Sequence, residues 1–195
     1  MAWLHTVDFF RSFIDDPYLL GRIAANHCLG DIFAMGGEPH SALALAMLPP
    51  GRESKVEEEL YQLLAGATEV LTEERTALLG GHTAEGAELA FGLVVQGTAD
   101  PARLWRKGGM RPGDRLILTK PLGTGTLLAA QMRGQARACW IESALVTMQQ
   151  SARAAADCLR RHHVTACTDV TGFGLLGHLL EMVRASGVDV ELSLT

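Results

Sequence analysis

Leu4-His5-Thr6-Val7-Asp8-Phe9-Phe10, followed closely by Asp15-Asp16-Pro17, decides how this chain is read. The first stretch is short, apolar and β-prone, which predicts a strand with one carboxylate in its middle. Asp16-Pro17 is a helix start, with the aspartate as N-cap and the proline at the first helical position. From there to about Met35, the residues Leu19, Leu20, Ile23, Ala24, Leu29, Ile32 and Phe33 recur at helical spacing, and Gly36-Gly37 end the helix.

The pattern continues in the same alternation. His40–Leu48 reads as a strand closed by Pro49-Pro50-Gly51, and Ser54–Arg75 as an amphipathic helix with Glu57, Glu58 and Glu59 outside. Ala77–Leu79 reads as a strand ending at a Gly80-Gly81-His82-Thr83 turn, and Leu89–Thr98 as another strand. The order β-α-β-α-β-β predicts an α+β unit, a four-stranded sheet with its helices on one face. Polar, Pro- and Gly-punctuated Ala99–Gly113 is the expected linker, giving domains 1–103 and 104–195. Beyond it, strands are expected at Arg115–Thr119, Val164–Cys167 and Val188–Leu194. Helices are expected at Gly123–Met132, Ile141–Arg161 and Gly174–Ala185. This second unit has an α/β rhythm with too few elements to close a core. A sheet cut at both ends leads to the expectation that the 195 residues are a piece of a longer protein.

Bulk properties bound the function. With 48% hydrophobic and 20% charged residues, the composition is that of a soluble globular protein. A net charge of −5 argues against a nucleic-acid partner, although amides or a metal ion could still hold an anionic substrate. No apolar run reaches the roughly 18 residues of a membrane span, no signal peptide is evident, and a cytoplasmic protein is expected. Cys28, Cys139, Cys158 and Cys167 show no paired spacing and are expected to be small core residues of a reducing compartment.

Three aspartates stand where plain structure would not put them. Asp8 interrupts an apolar strand, Asp31 lies in Cys28-Leu29-Gly30-Asp31-Ile32-Phe33, and Asp169 follows a strand pattern and precedes a glycine-rich turn. A buried carboxylate is costly without a partner, and scattered aspartates suit Mg2+, which takes one or two carboxylates plus phosphate oxygens and waters. The structural alternatives are that Asp8 satisfies amides, Asp31 caps a turn and Asp169 caps a helix. Gly80-Gly81-His82-Thr83 and Asp169-Val170-Thr171-Gly172-Phe173-Gly174 could each bring amides to phosphate, yet neither is a Walker loop or a dinucleotide fingerprint. Lys120-Pro121-Leu122-Gly123 reads as a strand-to-helix connection, and His162-His163 as a helix end.

Taken together, Thr6–Phe10, Gly30–Gly37, Gly80–Thr83, Leu118–Gly123 and Thr168–His178 resemble the selenophosphate synthetase (selenide, water dikinase) family, within the aminoimidazole ribonucleotide synthetase superfamily. The resemblance implies synthesis of selenophosphate from selenide and ATP, with release of AMP and phosphate and a requirement for Mg2+. It implies Asp8 and Asp31 as ATP contacts and Asp31 and Asp169 as metal ligands. Gly81, His82 and Thr83 would form a nucleotide-binding turn reaching across a homodimer whose two sheets close a barrel. The family's catalytic Cys or Sec, its lysine and a further aspartate precede the stretch matching Thr6–Phe10. No catalytic residue is therefore assigned here, and these residues alone are expected to be inactive. A purine-pathway synthetase or thiamine-phosphate kinase would share the fold and ATP. A dimerisation module with degenerate metal residues is the non-enzyme alternative.

Overall fold

A computed structural model describes residues 1–193. The first unit is built from β1 (Ala2–Arg11), α1 (Pro17–Ala34), β2 (Glu38–Leu48), α2 (Glu53–Glu73), β3 (Ala77–Glu85) and β4 (Ala90–Ala99). The sheet order is β1-β4-β2-β3, with β4 antiparallel to both neighbours and β2 parallel to β3. The expected four-stranded α+β unit is therefore present. Asp16 caps α1 through its side chain, accepting from the Leu19 amide at 3.0 Å.

Alternation along the strands gives the sheet two unlike faces. One carries Ala42, Ala44, Ala46, Phe91, Leu93 and Val95, all buried under α1 and α2. The two helices touch backbone to backbone at paired glycines. A Cβ on Gly21 would lie 2.1 Å from the Leu63 carbonyl, and one on Gly66 would lie 2.0 Å from that of Tyr18. The other face is open and apolar, and Val7 and Phe9 there are 58% and 44% exposed.

Residues after Ala99 depart from the sequence reading. The expected 99–113 linker is partly packed onto the first unit. A 3-10 turn at Pro101–Arg103 leads to Trp105, whose amide donates to the Met35 carbonyl at 3.1 Å and whose ring lies against Gly36. Helices α3 (Thr124–Met132), α4 (Ala138–Met148), α5 (Arg153–Leu159) and α6 (Gly174–Ser186) follow. The single helix expected over Ile141–Arg161 is broken at residues 149–152, because distant side chains capture its carbonyls. Asn26 Nδ2 donates to the Gln149 carbonyl at 3.0 Å, and Lys120 Nζ to that of Gln150. The strands expected at Arg115–Thr119 and Val164–Cys167 have no ladder partner among the described residues, and Ile117 is 75% exposed. Residues 188–193 are likewise unpaired, and Leu194 lies outside the described residues.

Helix α5 ties the second stretch to the first unit through Arg153, Ala156 and Arg160, which share one helical face. Ala156 is buried in the main core. Arg153 Nη1 and Arg160 Nη1 both hold the Glu38 carboxylate, at 2.9 and 2.6 Å. Arg153 also pairs with Glu74, which is only 6% exposed, and its guanidinium lies 5.0 Å over the Phe33 ring. Truncating one partner of such a buried pair strands the other charge. Arg153→Met should therefore destabilise the chain by about 3 kcal/mol in urea unfolding, and adding Glu74→Leu should recover most of that loss.

Candidate functional site

The site forms where β1, α1 and the segment before α6 meet, on the helix-covered side of the sheet. Asp8 sits on β1 with even-numbered neighbours that face α1. One helical turn apart on α1, His27 and Asp31 face the same way. His27 Nε2 stands 3.5 Å from Asp8 Oδ2, and the ring packs edge-on against Phe10 at 5.5 Å. Thr6 Oγ1 donates to the Asp31 carboxylate, binding β1 to α1. The structural alternatives are thereby answered by geometry. The Asp8 carboxylate pairs with His27, the Asp31 side chain accepts from Thr6, and α6 begins with no side-chain cap from Asp169 or any other residue.

The charge of Asp169 is felt at the same place. Burial pushes the Asp31 carboxyl up to about 6, against the Thr6 hydrogen bond, and the neighbouring charges of Asp169 and Asp8 add to the rise. Asp8 goes the other way, held below the usual carboxylate range chiefly by its hydrogen bond to His27. That same bond raises His27 above the usual histidine range, with the charges of Asp8, Asp31 and Asp169 all contributing. All three predicted aspartates therefore act on one imidazole, although they come from a strand, a helix and a distant loop.

Gly81, His82 and Thr83 are elsewhere. The expected turn is the middle of β3, which runs on to Glu85 as an exposed edge strand. Gly80 absorbs a register irregularity opposite Ala42–Leu43 with φ +151°, and a Cβ on Gly81 would meet the Ala44 carbonyl at 2.1 Å. His82 is level with Phe9 along the path Phe9–Gly92–Leu45–His82, three strands from β1, or about 14 Å at ordinary strand spacing.

Other expectations divide. Cys28 is a core residue, its thiol donating to the Asp8 carbonyl at 3.7 Å and pushed up to about 12 by burial. Cys139 and Cys158 are exposed, so the core reading fails for them: each lies on an outer face of a short helix with nothing packed over it. Lys120 leads into α3 and donates to the Gln150 carbonyl, but no strand precedes it among the described residues; His162 ends α5 through its amide. The sequence reading missed His27, although its i, i+4 spacing to Asp31 was a usable signal. It also missed His178, which is 5% exposed and whose Nε2 lies 3.1 Å from the Thr171 amide.

The donor set suits a hard divalent cation. Mutually repelling carboxylates in a half-buried site have the chemistry that Mg2+ neutralises. Among the described residues, no three His, Cys, Asp or Glu side chains form a ready-made metal cage. No helix of the described residues is long and apolar enough to cross a membrane.

A helix-covered four-stranded sheet that gathers carboxylates from two parts of the chain defines a mixed α/β class of protein. Within that class, residues 1–99 match the AIR synthase related protein N-terminal domain, and residues 111–195 its C-terminal domain. The chain belongs to the AIR synthase related family. It is 44% identical over 185 residues to a selenide, water dikinase of Desulfitobacterium hafniense (strain Y51), covering 95% of this chain and 54% of that protein. It is 42% identical over 198 residues to the Geobacter metallireducens selenide, water dikinase, covering 100% of this chain and 56% of that one. The chain thus spans about half the length of the curated relatives it matches. Among solved structures, thiamine monophosphate kinase from Aquifex aeolicus superposes with a TM-score of 0.80 at 18% identity, over 95% of this chain and 63% of that one. Escherichia coli HypE, a hydrogenase maturation protein, gives 0.77 at 18%, over 96% and 59%. A ThiL complexed with AMPPCP and TMP gives 0.79 at 19%, over 95% of this chain and 60% of that one.

The Asp31 shift fixes a sign. Its folded value lies above the ordinary 3.8, so the metal-free chain loses stability as pH rises from about 4 to 6. Asp31→Asn should therefore stabilise the metal-free chain at pH 7.5 by about 1 kcal/mol, a figure kept small because the group is only half-buried and partly screened. Thermal unfolding should show a Mg2+-dependent rise for the wild type, larger at pH 7.5 than at pH 5.5, and none for the variant.

Proposed function

We propose that these residues hold much of the ATP- and Mg2+-binding site of a selenide, water dikinase, which makes selenophosphate, AMP and phosphate from ATP, selenide and water. The observation that carries this reading is the Asp8–His27 pair beside the Thr6-held Asp31, with the charge of Asp169 acting on both His27 and Asp31. The identity of 38–44% to curated selenide, water dikinases over nearly the whole chain supports selenide as the substrate. Nucleotide binding on this fold is supported by the ThiL complexed with AMPPCP.

In this reading Asp31 and Asp169 hold the cation, while Asp8, kept ionised by His27, contacts the nucleotide–metal cluster. Bound Mg2+ would supply positive charge against the triphosphate. Thr6 fixes the Asp31 rotamer by its hydrogen bond, and α1 packed on β1 limits the water reaching the carboxylates. Domains at 1–103 and 104–195 would divide the labour, the second bringing Asp169 to the first.

A direct test grafts residues 1–195 in place of the matching stretch of a curated relative. Selenide-dependent AMP formation should persist in the graft and fall at least about 100-fold with Asp169→Asn, within the range of single electrostatic contributions to catalysis. Nucleotide turnover that ignores selenide and depends on a ribotide or thiamine phosphate would contradict the assignment.

The open face of the sheet supports a homodimer. Trp3, Val7, Phe9 and Leu43 are exposed there beside half-buried Leu45, Met47 and Val94, an apolar surface continuous over three strands. A second copy of the same face is the occupant proposed, and it would close two sheets into a barrel. Gly81, His82 and Thr83, remote from the aspartates of their own chain, would then serve the partner's nucleotide. Sedimentation should give a dimer for the wild type and a monomer for Val7→Glu/Phe9→Glu.

A further inference from the structure

His178 lies on the first turns of α6, and helical side chains lean toward the N-terminus, so its ring folds back over the turn that follows Asp169. There Nε2 meets the Thr171 amide at 3.1 Å and the Thr171 hydroxyl at 3.2 Å. A backbone N–H can only donate, so Nε2 must carry its lone pair and the ring proton must sit on Nδ1. The hydroxyl then shares that one lone pair with the amide in a three-centre contact. Nδ1 is buried and has no partner among the described residues, and the Phe173 ring packs 5.7 Å from the imidazole. The Thr171 carbonyl meanwhile accepts from the Gly174 amide at 2.9 Å, so both backbone polar groups of Thr171 are held. Only Val170 separates Thr171 from Asp169.

We propose that His178, as the Nδ1-protonated neutral tautomer, is a positioning residue that fixes the Thr171 turn and thereby aims the Asp169 carboxylate at the bound divalent cation. The inference rests on the cation reading above and assigns His178 no contact with metal or nucleotide. A nitrogen that only packed would tolerate an apolar ring; a nitrogen that aims the loop would not. Residues that orient metal ligands in this way typically change metal affinity by roughly 10- to 100-fold when replaced.

The test uses the chain with 15N-labelled histidine, beside His178→Phe, which keeps an aromatic ring without the acceptor, and His178→Gln, which restores an acceptor. In the wild type, ring nitrogen spectra should report an Nδ1–H tautomer. His178→Phe should shift the amide resonances of Asp169 and Thr171 and weaken Mg2+ binding, read by calorimetry, by about 10-fold. His178→Gln should recover most of both. An Nε2–H or doubly protonated ring in the wild type overturns the proposal, as does a His178→Phe variant with unchanged Mg2+ affinity and an unmoved Asp169 amide. A wild type that takes no Mg2+ defeats the cation reading instead, and the metal-free shift of the Asp169 amide then decides the clamp. Should His178→Phe fail to fold, the wild-type tautomer and the Mg2+ affinity of His178→Gln decide it.

Discussion

Asp31 is held half-buried between two other carboxylates, and that repulsion is the constraint the rest of the structure answers to. Left to itself, the group would turn outward or keep its proton. It does neither freely, because Thr6 on β1 holds its carboxylate while α1 is locked onto the sheet by Ile32, Phe33 and Leu29. On the far side, the Arg153 and Arg160 pairs with Glu38 and Glu74, and Trp105 on Gly36, dock the second stretch so that Asp169 comes near. The fold therefore maintains an unfavourable charge arrangement that a divalent cation would relieve, a stability cost concentrated at the proposed site.

The two faces of the sheet divide the work. The helix-covered face supplies the core and the carboxylates; the open face stays apolar and exposed in the single chain. An uncovered sheet face of this kind is unfavourable alone and favourable when paired. The nucleotide-contacting role proposed for His82 needs such pairing, since within one chain β3 is the edge farthest from Asp8.

Much of the first unit was legible because each local signal agreed with the global fold. Asp16-Pro17 is the start of α1 in fact as in pattern, and the β-α-β-α-β-β order stands. The misreadings have physical causes. Gly80-Gly81 look like a strand terminator, yet they continue β3 because β2 approaches so closely that a Cβ would not fit. The break at residues 149–152 is made by Asn26 and Lys120, more than 100 and about 30 residues away in sequence, and no local pattern encodes it. The later strands have the right residues without the ladder partners that would make them strands. At the site, the aspartates were visible as carboxylates in apolar surroundings. That they belong together was implied by the family resemblance alone, since spacing does not encode how β1 meets α1 or how the second stretch docks. His27 was legible in principle from its spacing to Asp31, whereas His178 became informative only once the donor of its hydrogen bond was known.

The central question is whether Asp31 and Asp169 hold one cation beside Asp8. Titrating the 15N-labelled chain with Mn2+ and following paramagnetic broadening of the backbone amides tests this directly. The amides of residues 8, 31 and 169 should broaden together and most steeply, at one Mn2+ concentration, with distinctly weaker broadening at Gly81, His82 and Thr83 in the monomeric Val7→Glu/Phe9→Glu background. Broadening confined to one of the three aspartates, or spread evenly over the acidic surface, would contradict it.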